Sequence, residues 1–395
     1  MAVKNIKPEI RFSGFSDDWE ECKLSEVADF AKGHGYSKND LVETGTPIIL
    51  YGRLYTKYQA IISDIDTFAV DIKGSVYSTG NEVIVPSSGE TAEDIARASA
   101  VIKSGILLGG DLNIIYPDNK VNSIFLALSI SNGKISQDLS KRAQGKSVVH
   151  LRNTDLKEIK ILYPDKEEQS QIGTFFKNLD HLHTLHQQKY NKLVTIKKAM
   201  LEKMFPKEGA NVPEIRFKGF TEDWEEQELN MLTDRYDNLR IPITATDRVF
   251  GNTPYYGANG IQDYVDGYTH NGEFILVAED GANDLKNYPV QFVIGKIWVN
   301  NHAHVLKAKK GIADNIFLKY AISQVNIEPY LVGGGRAKLN AEIMMKIEIY
   351  APTNMQEQEK IGNYFNHLEN LISLNNNELN KLKNIKKAFL EKMFV

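Results

Sequence analysis

Two short basic loops hold the side chains of this sequence best suited to binding chemistry. The first is Lys141-Arg142-Ala143-Gln144-Gly145-Lys146-Ser147 and the second is Gly333-Gly334-Gly335-Arg336-Ala337-Lys338. Glycine lets a backbone approach a ligand closely, and arginine and lysine seek phosphates or guanine edges. One such loop alone would fit a solvated turn with incidental charge. Two, at matching places in otherwise dissimilar segments, favour nucleic acid. Three further clusters mix stacking, cationic and amide groups: Tyr51 to Tyr58, Tyr255 to Gly260, and Asn300-Asn301-His302. The residues expected to touch DNA are Arg53, Tyr55, Lys57, Arg142, Gln144, Lys146, Tyr256, Asn259, Asn301, Arg336 and Lys338.

No convincing catalytic set accompanies them. Gly145-Lys146-Ser147 imitates the end of a phosphate-binding P-loop, but Ser140 stands where that motif requires glycine. Asn252-Thr253-Pro254-Tyr255 approaches a methyltransferase tetrapeptide, yet no glycine-rich cofactor fingerprint precedes it, and it reads as a turn. His181, His183 and His186 read as the flank of a helix, and His302 and His304 lack a carboxylate partner motif for a metal site. Glu279, Asp280 and Asp284 invite a nuclease reading, but no lysine stands at the expected spacing, so a polar loop is the better reading. No catalytic residue, bound metal or cofactor is expected.

The elements that must position the loops are written twice. Pro8 to Leu24 (PEIRFSGFSDDWEECKL) and Pro213 to Leu229 (PEIRFKGFTEDWEEQEL) share 12 of 17 residues. Gln169 to Phe205 and Gln358 to Phe394 share 19 of 37. Between signature and tail lies a divergent block, 25–163 or 230–351, with short apolar strand candidates and a core helix (Asn122 to Ser131; Asp314 to Ser323). The tails read as long helices with one apolar stripe, acidic at the start and lysine-rich at the end, as the helix dipole favours. Ile172, Phe176, Leu179, Leu182, Leu193, Ile196 and Met200 form one stripe, and Ile361, Phe365, Leu368, Leu371, Leu382, Ile385 and Phe389 the other. About 37 residues would make a rod of roughly 55 Å. Such stripes need a partner, and the duplicate supplies it if the helices pair antiparallel. The expected fold is α+β: two mixed α/β blocks, internally duplicated with pseudo-two-fold symmetry, separated by a long antiparallel two-helix coiled coil.

Composition sets outer limits. The chain has 395 residues, 42% hydrophobic and 25% charged, with a net charge of −4. That fits an ordinary soluble protein of several domains. The mild acidity argues weakly against nucleic acid, because the charge on one face decides. The only cysteine is Cys22, which excludes a disulfide framework. No apolar run suits a signal peptide or a membrane span, so a cytoplasmic location is expected.

These features together resemble the specificity subunits of type I restriction-modification systems, over nearly the whole chain. The resemblance rests on Arg11-Phe12, Gly14-Phe15 and Trp19 with their copies Arg216-Phe217, Gly219-Phe220 and Trp224. It rests also on the helix entries Pro164, Glu168, Gln169, Ile172 and Pro352, Glu357, Gln358, Ile361, and on the block openings TPIILYGRLYTKY and TPYYGANGIQDYV. It implies two target recognition domains, at 1–163 and 208–351, followed by long helices at 164–207 and 352–395. Each domain would read one half of an asymmetric, bipartite site on double-stranded DNA. A noncatalytic subunit of this kind would dock two methyltransferase subunits that methylate adenine, and restriction motor-nuclease subunits would join them. S-adenosylmethionine, ATP and magnesium would then sit on the partners. A self-contained nuclease using Asp280 and a purely protein-binding scaffold are the competing readings.

Overall fold

The computed structural model describes residues 7–143, 148–207, 209–333 and 337–394. They pack as two compact units, one formed by residues 1–186 with 378–395 and the other by residues 187–377. The four-part division expected from the sequence follows the elements. The packing instead places the first part of each long helix with the block before it and the last part with the other block.

Unit 1 is built on strands β1 (Ala28–Lys32), β2 (Ile61–Ile62), β3 (Glu82–Pro86), β4 (Ser99–Val101) and β5 (Leu112–Pro117). Their order is β1-β5-β3-β4-β2. Only the β4–β2 pair is parallel. All five residues of β3 are buried, which is why it reads as a continuous run rather than an alternation. Unit 2 is built on β6 (Thr233–Arg235), β7 (Phe250–Gly257), β8 (Gly260–Val265), β9 (His270–Ala278), β10 (Val290–Val299) and β11 (Ala303–Ala308). Its order is β6-β11-β9-β10-β7-β8, and only β10–β7 is parallel. The first five strands thus repeat the order and senses of unit 1, although the block sequences differ. The units diverge outside this frame. Unit 1 adds a second five-stranded sheet (Leu41–Val42, Thr46–Ile49, Phe68–Ala69, Tyr77–Thr79, Ser104–Leu108), and unit 2 extends its own sheet with β8.

A core helix covers each frame, Ser123–Ser131 or Asn315–Ser323. Asn122 and Asp314 cap them by accepting backbone N–H groups, as short polar side chains do at helix starts. The long helices run Lys166–Met204 and Met355–Met393, 39 residues each. In unit 1, Phe176 lies 6.0 Å from Phe394, and the Lys386 ammonium donates to Asp180 at 2.5 Å. One number rises while the other falls, so the segments are antiparallel. In unit 2, Phe365 lies 6.0 Å from Phe205, and Lys197 donates to Glu369 at 2.5 Å. These are the same two pairs with the copies exchanged.

The signature is explained by what it locks. Arg11 makes a two-pronged pair with Glu168 (2.8 and 2.6 Å), and Arg216 does the same with Glu357 (2.6 and 2.8 Å). Both carboxylates are buried, and each raises its arginine's pKa by hydrogen bonding. The neighbouring glutamines are equally committed. Gln169 donates to the carbonyls of Pro164 and Lys120 and accepts from Asn122 N–H. Gln358 repeats this with Pro352, Ile312 and Asp314. A Cβ on Gly362 would stand 2.8 Å from the Phe317 backbone nitrogen, so this glycine lets the helix reach the core-helix start. Trp19 and Trp224 pack edge-on against Phe125 and Phe317. Ile10 and Ile215 donate their N–H to the carbonyls of Lys392 and Lys203.

The stripe is narrower than expected. The unit 1 core takes Ile172, Phe176 and Leu179, with Leu382, Ile385 and Phe389 packed against it. The unit 2 core takes Ile361, Phe365 and Leu368, with Leu193, Ile196 and Met200. Leu182 is 44% exposed and Leu371 half-buried, and neither joins a core cluster. A 3.6-residue helix rotates such positions off a fixed face within a few turns. Unit 2 also buries Lys319, whose ammonium bonds Glu369 at 2.6 Å above the Tyr320 ring, where unit 1 has Ala127 and Leu128. Burial pushes the Lys319 pKa down.

Removing either signature arginine leaves a buried carboxylate without its partner. Arg11→Ala and Arg216→Ala should each lower stability by about 3 kcal/mol, read as a shift in urea midpoint. A change within experimental error would contradict the lock.

Candidate nucleic-acid interface

Each basic loop returns to its sheet at the same place. After the first loop, Val149–His150 pairs antiparallel with Ser88–Gly89, directly beyond β3. After the second, Lys338 bridges Asp280, directly beyond β9. Leu151 N–H donates to the Ser87 carbonyl (3.1 Å), and Leu339 N–H donates to the Glu279 carbonyl (2.7 Å). Both leucines are fully buried. A side chain from the neighbouring strand then takes the leucine carbonyl: Asn113 Nδ2 at 2.9 Å in unit 1, and His304 Nε2 at 2.9 Å in unit 2. The result in each unit is a short exposed bridge on a buried anchor.

The two bridges differ in chemistry. In unit 1, Ser88 Oγ meets His150 Nδ1 at 3.2 Å, and both side chains reach solvent. In unit 2, Lys338 is exposed and bonds the buried Glu279 at 2.7 Å. Around it stand Asn259, bonded to Gly281 and Asn283, the exposed Asn301, and His302 paired with Asp280 at 2.5 Å. Tyr256 is half-buried against a satellite core, and burial raises its pKa. Asn259, Asn301 and Lys338 therefore share one end of the unit 2 sheet.

In unit 1 the expected residues separate. Arg142 is exposed at the end of helix Gly133–Arg142. Lys57 is exposed and paired with Asp66. Arg53 is 9% exposed, and its guanidinium is taken by Asp66 (2.5 Å), Gln59 and the Asp64 carbonyl. Tyr55 donates to the Ser88 carbonyl at 2.6 Å, and burial raises its pKa. These two brace the loop from inside, and Tyr55 supports the bridge itself. Gln144, Lys146 and Arg336 lie outside the described residues.

Glu279 is no solvated loop residue, contrary to the sequence reading. It is 8% exposed and pairs with Arg240 at 2.5 Å as well as Lys338. Asp237, Glu279 and His304 bring donor atoms within 4.8 Å of one another, the spacing of a metal-ligand set. The Arg240 and Lys338 cations already balance these carboxylates, so the arrangement is an ion-pair network. The sequence reading missed Asn113 altogether and weighed His304 only as a metal ligand. Each interrupts an apolar strand, and that interruption is the signal that could have marked them.

The model of the type I restriction modification DNA specificity domain matches residues 16–195 and 221–384. The chain belongs to the type I restriction-modification DNA specificity family. A Haemophilus influenzae chain named as a type I restriction enzyme specificity subunit is 47% identical over 124 residues, covering 31% of this chain and 32% of that one. The MjaX specificity subunit of Methanocaldococcus jannaschii is 23% identical over 95% of this chain and 92% of that protein. The S subunit structure from M. genitalium superposes with a TM-score of 0.72 at 15% identity, covering 98% of this chain and 99% of that one, and shows the same fold. As a specificity subunit the chain is a noncatalytic component. Among the described residues no helix is long and apolar enough to cross a membrane.

Burial works against the charges of Asp237 and Glu279, yet the hydrogen bonds from His304 to Asp237 and from Lys338 and Arg240 to Glu279 outweigh it and hold both pKa values below the ordinary range. Their stabilisation is therefore present above the unfolded values and lost as pH falls through the folded ones. Below about pH 4, the Leu339 N–H, held by the Glu279 carbonyl, should lose hydrogen-exchange protection before the Leu151 N–H, held by the Ser87 carbonyl in a leucine whose own carbonyl is bonded by the neutral Asn113. Equal loss at both would contradict this.

Proposed function

We propose that each unit reads one half of a split site on double-stranded DNA, within a type I restriction-modification complex. The observation that carries this is the repeated frame with matched bridges of unlike chemistry, Ser88 and His150 in one unit and Asp280 and Lys338 in the other. A common frame fixes how a head is held, and different exposed groups fix what it reads. The target is then asymmetric. The paired long helices set the spacer, and their exposed flanks dock two adenine methyltransferase subunits, through which the motor-nuclease subunits join. Methyl transfer from S-adenosylmethionine and the ATP- and magnesium-dependent steps belong to those partners.

Basic and amide side chains divide the work between grip and reading. Phosphate contacts give affinity, and base-edge contacts give about 1–3 kcal/mol of discrimination each. Arg142, exposed at a helix end, suits the first role; Asn259, Asn301 and Lys338 suit the second.

Exchanging residues 230–351 for the corresponding block of another specificity subunit should change one half of the methylated sequence and leave the other intact, as read by methylome sequencing. An unchanged target after a folded exchange would overturn the reading. Arg142→Ala should weaken binding uniformly across sequences and reduce the salt slope by about 1, measured by titration at several salt concentrations. A sequence-selective loss would instead make Arg142 a base reader.

A further inference from the structure

We propose that Asn113 and His304 are equivalent positioning residues, each setting the geometry with which its own unit reads DNA. This rests on the reading of the units as DNA-recognition heads. Both residues are second in a strand beside the central strand of their sheet. Asn113 of β5 stands opposite Val85 of β3, and His304 of β11 stands opposite Val277 of β9. Both are inaccessible, at 0% and 1%. Asn113 donates to the Leu151 carbonyl and reaches that of Pro86 at 3.4 Å, and His304 meets the Leu339 carbonyl.

The target of these bonds matters more than the residue making them. Leu151 and Leu339 are the first fully buried residues after the basic loops. Each has its N–H taken by the segment beyond the central strand and its carbonyl taken by Asn113 or His304. The N–H and the carbonyl belong to the two peptide planes that flank the leucine, so both planes are held. The first of these planes joins the leucine to the exposed residue just before it, His150 in unit 1 and Lys338 in unit 2. Hydrogen bonds tolerate only a few tenths of an ångström, so a base-reading group needs such a support.

Stability alone does not account for the polar choice. Asn113 Oδ1 is buried with no hydrogen-bond partner among the described residues, an arrangement that an apolar residue would avoid. The histidine ring of unit 2 is itself oriented, with Nδ1 2.7 Å from Asp237 Oδ2. Two unlike side chains thus converge on one carbonyl in two blocks of unlike sequence. The shared feature is the geometric demand.

The test uses the full-length chain assembled with its methyltransferase partners, selecting from a randomised duplex library. Wild type should yield a split motif. Asn113→Leu should lower discrimination by about tenfold at positions of one half only, with the other half and the urea midpoint little changed. His304→Leu should do the same for the other half. His304→Gln, which keeps an amide donor near the Nε2 position, should recover most of the loss. Where His304→Leu fails to fold, Asn113→Leu and His304→Gln decide, because the first removes an unpartnered acceptor and the second keeps the carbonyl bond. Equal loss in both halves, or no loss in either while wild type still selects a split motif, would show a merely structural role and overturn the inference. A wild-type complex that selects no motif would overturn the DNA reading beneath it.

Discussion

Neither unit closes its core with the block and helix start that follow its own signature. Each needs a phenylalanine ring carried in by the end of the other long helix. In unit 1, Phe394 packs against Phe125 and Phe176; in unit 2, Phe205 packs against Phe317 and Phe365. Large aromatic rings dominate core energetics, and pairs at these distances add about 0.5–1.5 kcal/mol each beyond their area. Unit 2 is one continuous stretch: helix end, signature, block, helix start. Unit 1 has the same parts in the same cyclic order, opened between the helix end and the signature. The Ile10–Lys392 backbone bond replaces, across that opening, the Ile215–Lys203 bond of the continuous copy. A lone block would leave its central aromatic site unfilled.

That constraint explains which residues the two copies share. The shared arginine, tryptophan, glutamate–glutamine pair and glycine all meet at the junction of signature, helix entry and core-helix start. The junction fixes the frame. Farther along the sheet the blocks differ freely in length, in added strands and in surface chemistry, and only the leucine anchor recurs. Rigid support and variable surface are thus kept in separate parts of each unit.

Much of this support was legible in the sequence. A repeated signature and two long single-stripe helices leave few ways to bury their apolar faces, so antiparallel pairing followed from the residues alone. Short apolar runs also placed the core helices and β3. It overstated the seam, because Leu182 continues the heptad-like spacing but not the face on which Leu179 lies. The surface was harder to read. Arg53 and Tyr55 sit in a cationic, aromatic phrase that looks like a contact site, and only the fold shows that Asp66 and the Ser88 carbonyl occupy them. Glu279 looked solvated because its partners, Arg240 and Lys338, are far away in the chain. Asn113 and His304 share no residue type, so their common target becomes visible only when both strands are in register.

The dependence of unit 1 on the far end of the chain has a direct measurement. A chain ending at residue 377 lacks the segment that supplies Phe389, Met393 and Phe394, while every residue of unit 2 remains. Hydrogen exchange should show the Ser123–Ser131 helix losing most of its protection and the Asn315–Ser323 helix keeping its own. Full protection of both helices in the shortened chain would contradict the account.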